Sequence, residues 1–215
     1  MTLKRVIVYS LLILMACASA GSSGAWAAGR VRTVVLDAGH GGFDTGIRSG
    51  GLKEKDLMLQ LVQLMRTYLG EQGKEVRLTR RVDQYMGLGD RRSETLGADL
   101  FVSLHLTRSA DAIMTVALYD RDAADLSLAE YYSFDARQMR YQYESKALGG
   151  SLASALRDRF GLTVMNRRMP LGLLTAVGAP AVLLELPVNE LDFHQESLEL
   201  LAHALVDGIL AYERQ

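Results

Sequence analysis

A chain of 215 residues that is 49% hydrophobic is long enough to bury one sizeable core, and composition alone points to a single medium-sized domain. Its 24 basic side chains are matched by 25 acidic ones, so the formal net charge of −1 lends no support to a nucleic-acid partner, which needs a basic field. Cys17 is the only cysteine, and a mature chain that has lost its N-terminus has neither a disulfide nor a thiolate nucleophile.

Residues 1–30 read "MTLKRVIVYSLLILMACASAGSSGAWAAGR". Lys4 and Arg5 precede an apolar run over residues 6–18, and small residues follow, which is the order of a secretory signal peptide. Cleavage after Ala27, behind "AWA", is preferred to cleavage after Ala20, because it stops close to the first strand. Cys17 offers a lipoprotein reading and an uncleaved anchor is a third, although the apolar run is shorter than the roughly 20 residues that cross a bilayer core. All three imply export, with the periplasm the expected destination and an extracellular or lipid-anchored protein the alternatives. The mature domain is then residues 28–215.

The first strand is "VRTVVLD" (residues 31–37), followed by the glycine-bearing loop "AGHGGFDTGIRSGG". Leu57, Leu61, Leu64, Met65 and Tyr68 recur at helical spacing in the next segment and mark an amphipathic helix. "EVRLT" (75–79) is a second strand, "LGDRRSETLG" a short polar helix and "ADLFVSLHL" (98–106) a third strand. "DAIMTVALY" (111–119) is a fourth, placed at a sheet edge. A polar, tyrosine-rich surface insertion near 121–149 then passes into a helix over 145–160. "AVLLEL" (181–186) is a buried strand, and a last helix over 192–212 carries Leu198, Leu201, Ala202, Leu205 and Ile209 on one side. Strands alternating with helices predict an α/β three-layer sandwich: a mostly parallel mixed sheet with helices on both faces.

Three apolar strands end in or near a polar residue that a core does not need: His40 after the first, His105 in "LFVSLH" and Glu185 in "VLLEL". Parallel strands gather their carboxyl ends at one edge, where open α/β proteins place their chemistry. Glu54, at the start of the helix after the first strand, faces the same edge. Zinc takes His nitrogen and carboxylate oxygen in a tetrahedral shell and keeps one position for water in a catalytic site. His40, Glu54 and His105 make such a shell for one Zn2+ per chain, with Glu185 left over as a base. Glu185 stands between "AVLL" and "LPV", where a carboxylate is costly unless paired or metal-bound. His194 and His203 fall in or beside the last helix and are read as solvated.

The landmarks "VVLDAGHGGFDTG", "GLKEKD", "VRLTRRVDQYMGLGDRR", "ADLFVSLH" and "PAVLLEL", taken together and in this order, resemble the zinc-dependent N-acetylmuramoyl-L-alanine amidases, bacterial cell-wall hydrolases. The resemblance covers nearly the whole mature domain. It implies His40, Glu54 and His105 as zinc ligands and Glu185 as the catalytic glutamate. It further implies peptidoglycan or its muropeptides as substrate, cut between the lactyl group of the glycan and L-alanine of the stem peptide. The chain departs from the family pattern after both landmarks: Thr107 and Arg108 follow His105 where a small residue and Asn are common, and "ELPVNE" puts Pro187 behind Glu185, with Asn189 at a shortened spacing.

On this reading Asp37 supports the loop or the imidazole of His40, and the glycine-rich loop supplies backbone N–H groups to a developing oxyanion. A salt bridge to Asp83 or Asp90 is the expected role of Arg80. Some members of the resembling family carry an inhibitory helix in an insertion, so the segment at 121–149 is a site for a protein activator, with Glu130 and Glu144 as plugging carboxylates. A zinc carboxypeptidase or another amidase on cell-wall peptides is the enzymatic alternative, and a non-catalytic wall-binding protein is the other.

Overall fold

In the computed structural model, residues 31–117 and 134–215 are described. Strand β1 (Thr33–Ala38) forms where apolar residues run without a break, and Val34, Val35, Leu36 and Ala38 are fully buried because the strand is covered on both faces. It pairs in parallel with β4 (Glu75–Leu78) on one side and β5 (Leu100–Thr107) on the other. β8 (Ala181–Pro187) lies parallel to β5, β6 (Ala112–Ala117) is antiparallel to β8, and β7 (Val164–Met169) is parallel to β6. The order is β4-β1-β5-β8-β6-β7, a mixed and mostly parallel sheet as the sequence implies.

The fourth predicted strand is not at the edge. β6 sits between β8 and β7, and the edge belongs to β7, whose "VMNRRM" is exposed at five of six positions. It has neither an apolar run nor alternation, so hydrophobic patterning gave no sign of it. Its Arg167 and Arg168 suit an edge that must not pair with another chain.

Helices α1 (Glu54–Glu71), α3 (Gln142–Phe160) and α5 (Gln195–Glu213) cover one face of the sheet. Leu57, Met58, Leu61, Val62 and Met65 of α1, Leu148 and Leu152 of α3, and Leu198, Leu201 and Leu205 of α5 bury themselves against Val34, Leu36, Val102, Leu104, Val182 and Leu184. Each such side chain contributes about 1.5–3 kcal/mol. α3 ends at Gly161, whose left-handed backbone (φ +67) lets its N–H bond Arg157 O at 2.8 Å.

The other face carries Val35, Phe101 and Leu183, covered by Leu173, Leu174 and Val177 in and after α4 (Gly172–Thr175). α4 packs on α2 (Leu88–Ser93), the predicted polar helix. This third layer is thin, built of one-turn to two-turn helices.

The expected signal peptide at 1–27, with Cys17, lies outside the described residues, as do the last two residues of the predicted fourth strand (118–119) and the part of the polar insertion at 121–133. From Phe134 a 3-10 segment (Phe134–Tyr141) leads into α3, which starts three residues earlier than the periodicity suggests. This stretch is not all surface. Gln138 and Ser145 are fully buried, because Gln138 Nε2 donates to Val177 O (3.0 Å) and Ala179 O (2.8 Å), Ser145 Oγ donates to Gln138 Oε1, and Ala181 N–H donates to Ser145 Oγ at 2.9 Å. The polar residues stitch the end of the insertion to the start of β8. No helix among the described residues is long and apolar enough to cross a membrane.

Candidate metal centre

The chain turns at the end of β1 in a conformation few residues accept. His40 sits at φ +59, the only non-glycine residue in the left-handed region among those described. Arg80, almost wholly buried, donates from Nε to Ala38 O (2.9 Å) and from Nη2 to Gly39 O (2.9 Å) and Lys55 O (2.6 Å). Arg91 Nη1 reaches Ala38 O at 2.8 Å, and its Nη2 reaches His40 O at 2.6 Å. Lys55 Nζ donates to Gly42 O (2.8 Å) and to Asp83 Oδ2, while Asp83 Oδ1 accepts Gly42 N–H at 2.7 Å. Three cationic side chains thus hold the loop by its carbonyls.

Gly39 is required by the packing of the His105 ring. A Cβ there would lie 2.4–2.7 Å from three atoms of the His105 imidazole, so only glycine lets the ring approach. At Gly46 (φ +61) a Cβ would lie 2.5 Å from both Glu54 Oε2 and His40 Cδ2.

Glu54 opens α1 immediately after a small antiparallel ladder, β2 (Arg48–Ser49) with β3 (Leu52–Lys53), and is only 1% exposed. Its Oε2 accepts Ile47 N–H at 2.8 Å and its Oε1 accepts Leu106 N–H at 2.8 Å. Burial pushes this carboxyl's pKa up, but hydrogen bonds from His105 and His40, then the two amides, hold it far below the usual range. The hydrogen bond to Glu54 in turn raises the His40 pKa, against burial.

The donors converge. Glu54 Oε1 is 3.1 Å from His40 Nε2 and 3.0 Å from His105 Nδ1, and the two nitrogens are 3.2 Å apart. A tetrahedral shell with ligand distances of about 2.0 Å has ligand–ligand edges of about 3.3 Å. The triangle therefore has the size, and the N,N,O chemistry, of three corners around a single zinc ion, and these residues form the metal-type cluster of the described chain. His40 Nδ1 is 2.8 Å from Asp44 Oδ2, which fixes that ring with its Nε2 turned toward Glu54 and His105.

Glu185 stands apart from the cluster. In β8 it is directly opposite His105 of β5, so the two side chains project from the same side of the sheet. Its pKa is raised, chiefly by burial; the charges of Arg167 and His105 lower it and Glu54 raises it. Arg167 Nη1 lies 3.6 Å from Glu185 Oε2.

Several expectations change here. Asp37 does not touch the His40 ring: fully buried, it accepts Thr79 Oγ1 and Ser103 Oγ (each 2.6 Å) and Arg91 Nη1 (2.5 Å), and so supports the loop through Arg91, while Asp44 supports the imidazole. The bonds of Arg80 go to carbonyls rather than to Asp83 or Asp90, and Asp83 pairs with Lys55. The glycine-loop amides are spent on the fold: Gly39 N–H donates to Leu104 O, Gly41 N–H to Asp44 O and Gly42 N–H to Asp83, leaving none of the three for an oxyanion. Glu144 follows Tyr143 into the first turn of α3, beside Ser145, which is tied to the first residue of β8; its charge faces Tyr212 at the end of α5, away from Glu185. Glu130 lies outside the described residues.

His203 stacks on Tyr68 with centroids 3.8 Å apart, and exposed His194 lies beside Asp192, so neither approaches the cluster. Of the departing residues, Arg108 Nη2 donates to Arg48 O at 3.0 Å and fastens the β2–β3 ladder to the end of β5, Thr107 is buried opposite Pro187, and Asn189 is exposed in a turn. The sequence reading missed Asp44, Lys55 and Gly46. Asp44, four residues after His40 in "HGGFD", was the one with a visible signal.

The family model described as N-acetylmuramoyl-L-alanine amidase matches residues 34–198. N-acetylmuramoyl-L-alanine amidase AmiA of Escherichia coli K12 is 40% identical over 111 residues, which cover 49% of this chain and 38% of that protein. The probable cell wall amidase LytH of Staphylococcus epidermidis is 29% identical over 191 residues, covering 84% and 58%. The chain thus spans less than two thirds of the length of each of these two curated relatives. Among solved structures, an N-acetylmuramoyl-L-alanine amidase from Clostridium difficile 630 shares the fold, with a TM-score of 0.66, 24% identity and coverage of 85% and 97%. The catalytic domain of the amidase CwlV from Bacillus (Paenibacillus) polymyxa gives a TM-score of 0.63 at 26% identity, covering 84% and 97%. A family model that runs from β1 into α5, over a sheet edge where two imidazoles and a carboxylate meet, leaves one conclusion: the chain belongs to the N-acetylmuramoyl-L-alanine amidase family.

Proposed function

We propose that this protein is a zinc-dependent hydrolase of the amide between the lactyl group of the glycan and L-alanine of the stem peptide in peptidoglycan. The observation that supports this most is the convergence of His40 Nε2, Glu54 Oε1 and His105 Nδ1 within 3.2 Å of one another, with Glu185 directly across the ladder from His105. In this reading those three atoms hold the ion and Glu185 is the base. A bound zinc supplies a water with its pKa lowered to about 7 and a Lewis acid for the carbonyl.

The protein's own groups do the rest. Asp44 keeps the proton of His40 on Nδ1, so that Nε2 remains a donor of its lone pair. Glu54 is held by the amides of Ile47 and Leu106 and cannot swing away. Glu185, kept more basic than an ordinary carboxylate by burial, takes a proton from the attacking water at a carboxylate oxygen and returns it to the departing amine nitrogen. The residues after His105 and Glu185 that depart from the family pattern leave all four of these groups in place.

The signal-like order of Lys4, Arg5 and the apolar run supports export, and peptidoglycan as substrate agrees with a periplasmic location. A protein activator acting on the 121–149 insertion belongs to the same reading, with Glu130 rather than Glu144 as the plugging carboxylate. The test of the activity is the mass of the products released from purified peptidoglycan by the zinc-loaded protein. Free peptides beginning with alanine are expected. Peptides shortened at their other end would make the protein a carboxypeptidase, and zinc-loaded protein that releases nothing would leave a wall-binding role.

A further inference from the structure

The mouth of the metal centre carries an aromatic ledge for which neither the fold nor the proposed chemistry has a use. Phe43 is 81% exposed and Tyr85 54% exposed, yet their rings lie face to face, with centroids 4.4 Å apart and 21° between planes. A lone exposed apolar side chain is ordinary, but two stacked at a cleft form a flat apolar surface with its outer face in water.

The backbone beneath this ledge is held by the same contacts that build the site. Phe43 sits between Gly42, clamped by Lys55 and Asp83, and Asp44, whose carboxylate meets His40. Asp44 is also paired to Gly41 through two backbone hydrogen bonds, of 2.9 and 3.2 Å. The loop of Tyr85 presses against the same turn, since a Cβ on Gly42 would lie 2.7 Å from Tyr85 N. Tyr85 lines a cavity of about 240 Å3 together with His40, His105, Leu88 and Leu173.

The opposite side of the cleft has different chemistry. The strand order places His40 (after β1), His105 (β5), Glu185 (β8) and Arg167 (β7) in that sequence across the sheet. Arg167 is 48% exposed and next to Glu185, so the row of site residues across the sheet has the aromatic pair, beside Asp44, at one end and a guanidinium at the other. The substrate has the same asymmetry about its scissile amide. On the acyl side stands a pyranose, whose ring offers a face of C–H groups to the electron-rich face of an aromatic. On the amine side stands a peptide bearing carboxylates, which suit a guanidinium.

We propose that the Phe43–Tyr85 stack is the platform for the sugar ring on the acyl side of the scissile amide, and that it sets the direction in which the substrate crosses the cleft. This rests on the amidase reading above. Direct binding tests it without turnover. Zinc-loaded full chain carrying Glu185→Gln is titrated calorimetrically with a peptide-free oligosaccharide of alternating N-acetylglucosamine and N-acetylmuramic acid. Adding Phe43→Ala or Tyr85→Ala weakens binding at least about fivefold, as expected from losing one aromatic contact, and Phe43→Trp retains it. In the otherwise native enzyme, Phe43→Ala raises KM for glycan-linked stem peptides by a similar factor and leaves kcat within about twofold. No binding by the parent, equal binding by the alanine variants, or weakened binding of free stem peptide instead of the oligosaccharide overturns the platform. Release of peptides that do not begin with alanine overturns the amidase reading, and the titration judges the platform separately.

Discussion

Replacing Asp37 with alanine removes the acceptor around which the His40 loop is organised. Asp37 has no exposed surface, and its two oxygens accept from Arg91, Thr79 and Ser103 at 2.5–2.6 Å. The substitution leaves a guanidinium that is nearly buried without its counter-charge. Removing one partner of a buried pair costs about 3–5 kcal/mol, and each hydroxyl deprived of its partner adds roughly 1 kcal/mol. Arg91 retains the carbonyls of Ala38, His40 and Met86, which places the expected loss near the low end of that sum, roughly 5 kcal/mol. That is a large fraction of a typical stability of about 5–15 kcal/mol.

Urea unfolding of the metal-free protein at neutral pH measures it, and Asp37→Asn, which keeps the shape and one acceptor, should lose less. Burial pushes the Asp37 carboxyl up, but Arg91, then the hydrogen bonds of Ser103 and Thr79, bring it below its ordinary value. A depressed folded pKa means that the stabilisation is complete above the unfolded value of about 3.9 and is lost as pH falls through the lower folded one. The gap between native and alanine proteins therefore narrows only under acid conditions. A loss below about 1 kcal/mol at neutral pH, with an unchanged denaturant slope, would refute the reasoning.

Three further outcomes are expected. Glu185→Gln keeps zinc, measured by elemental analysis, and loses about 10²- to 10⁴-fold in kcat; a variant that lost its metal together with its activity would show Glu185 to be a ligand. Gly39→Ala drives a methyl group into the His105 ring, so zinc affinity falls by about tenfold or more in a chelator competition, and unchanged affinity would mean that the ring has room to move. In Arg167→Ala, Glu185 loses the positive charge that lowers its pKa. Because the base works ionised, kcat/KM falls as pH drops through that pKa, and the acid limb of the profile moves to higher pH in the variant; a limb that stayed in place or moved down would remove Arg167 from the site.

The patterning of residues was enough for the elements that bury the most surface. β1, β5 and β8 are continuous apolar runs because both their faces are covered, and α1 and α5 repeat at helical spacing because one side of each meets the sheet. β7 and α4 left no such trace, the one being an exposed edge and the other a single turn. The donors were legible for a related reason. A histidine or glutamate where a strand ends in apolar surroundings conflicts with local patterning, and such conflicts mark function. Residue type and strand position thus pointed to His40, Glu54, His105 and Glu185 as a group, and the resemblance of the landmarks supplied the chemistry expected of them.

Only the tertiary structure decided what holds them. Asp37, Arg80, Arg91, Lys55 and Asp83 are charged residues most of whose partners lie 25–66 positions away, the exceptions being Lys55 to Gly42, Arg91 to Met86 and Arg80 to Val82, and sequence spacing carries no information about which carbonyl a guanidinium will reach. The engagement of the Gly39 and Gly42 amides and the stacking of Phe43 on Tyr85 likewise depend on distances between segments that only the packed sheet brings together, whereas Asp44 meets His40 within a single loop.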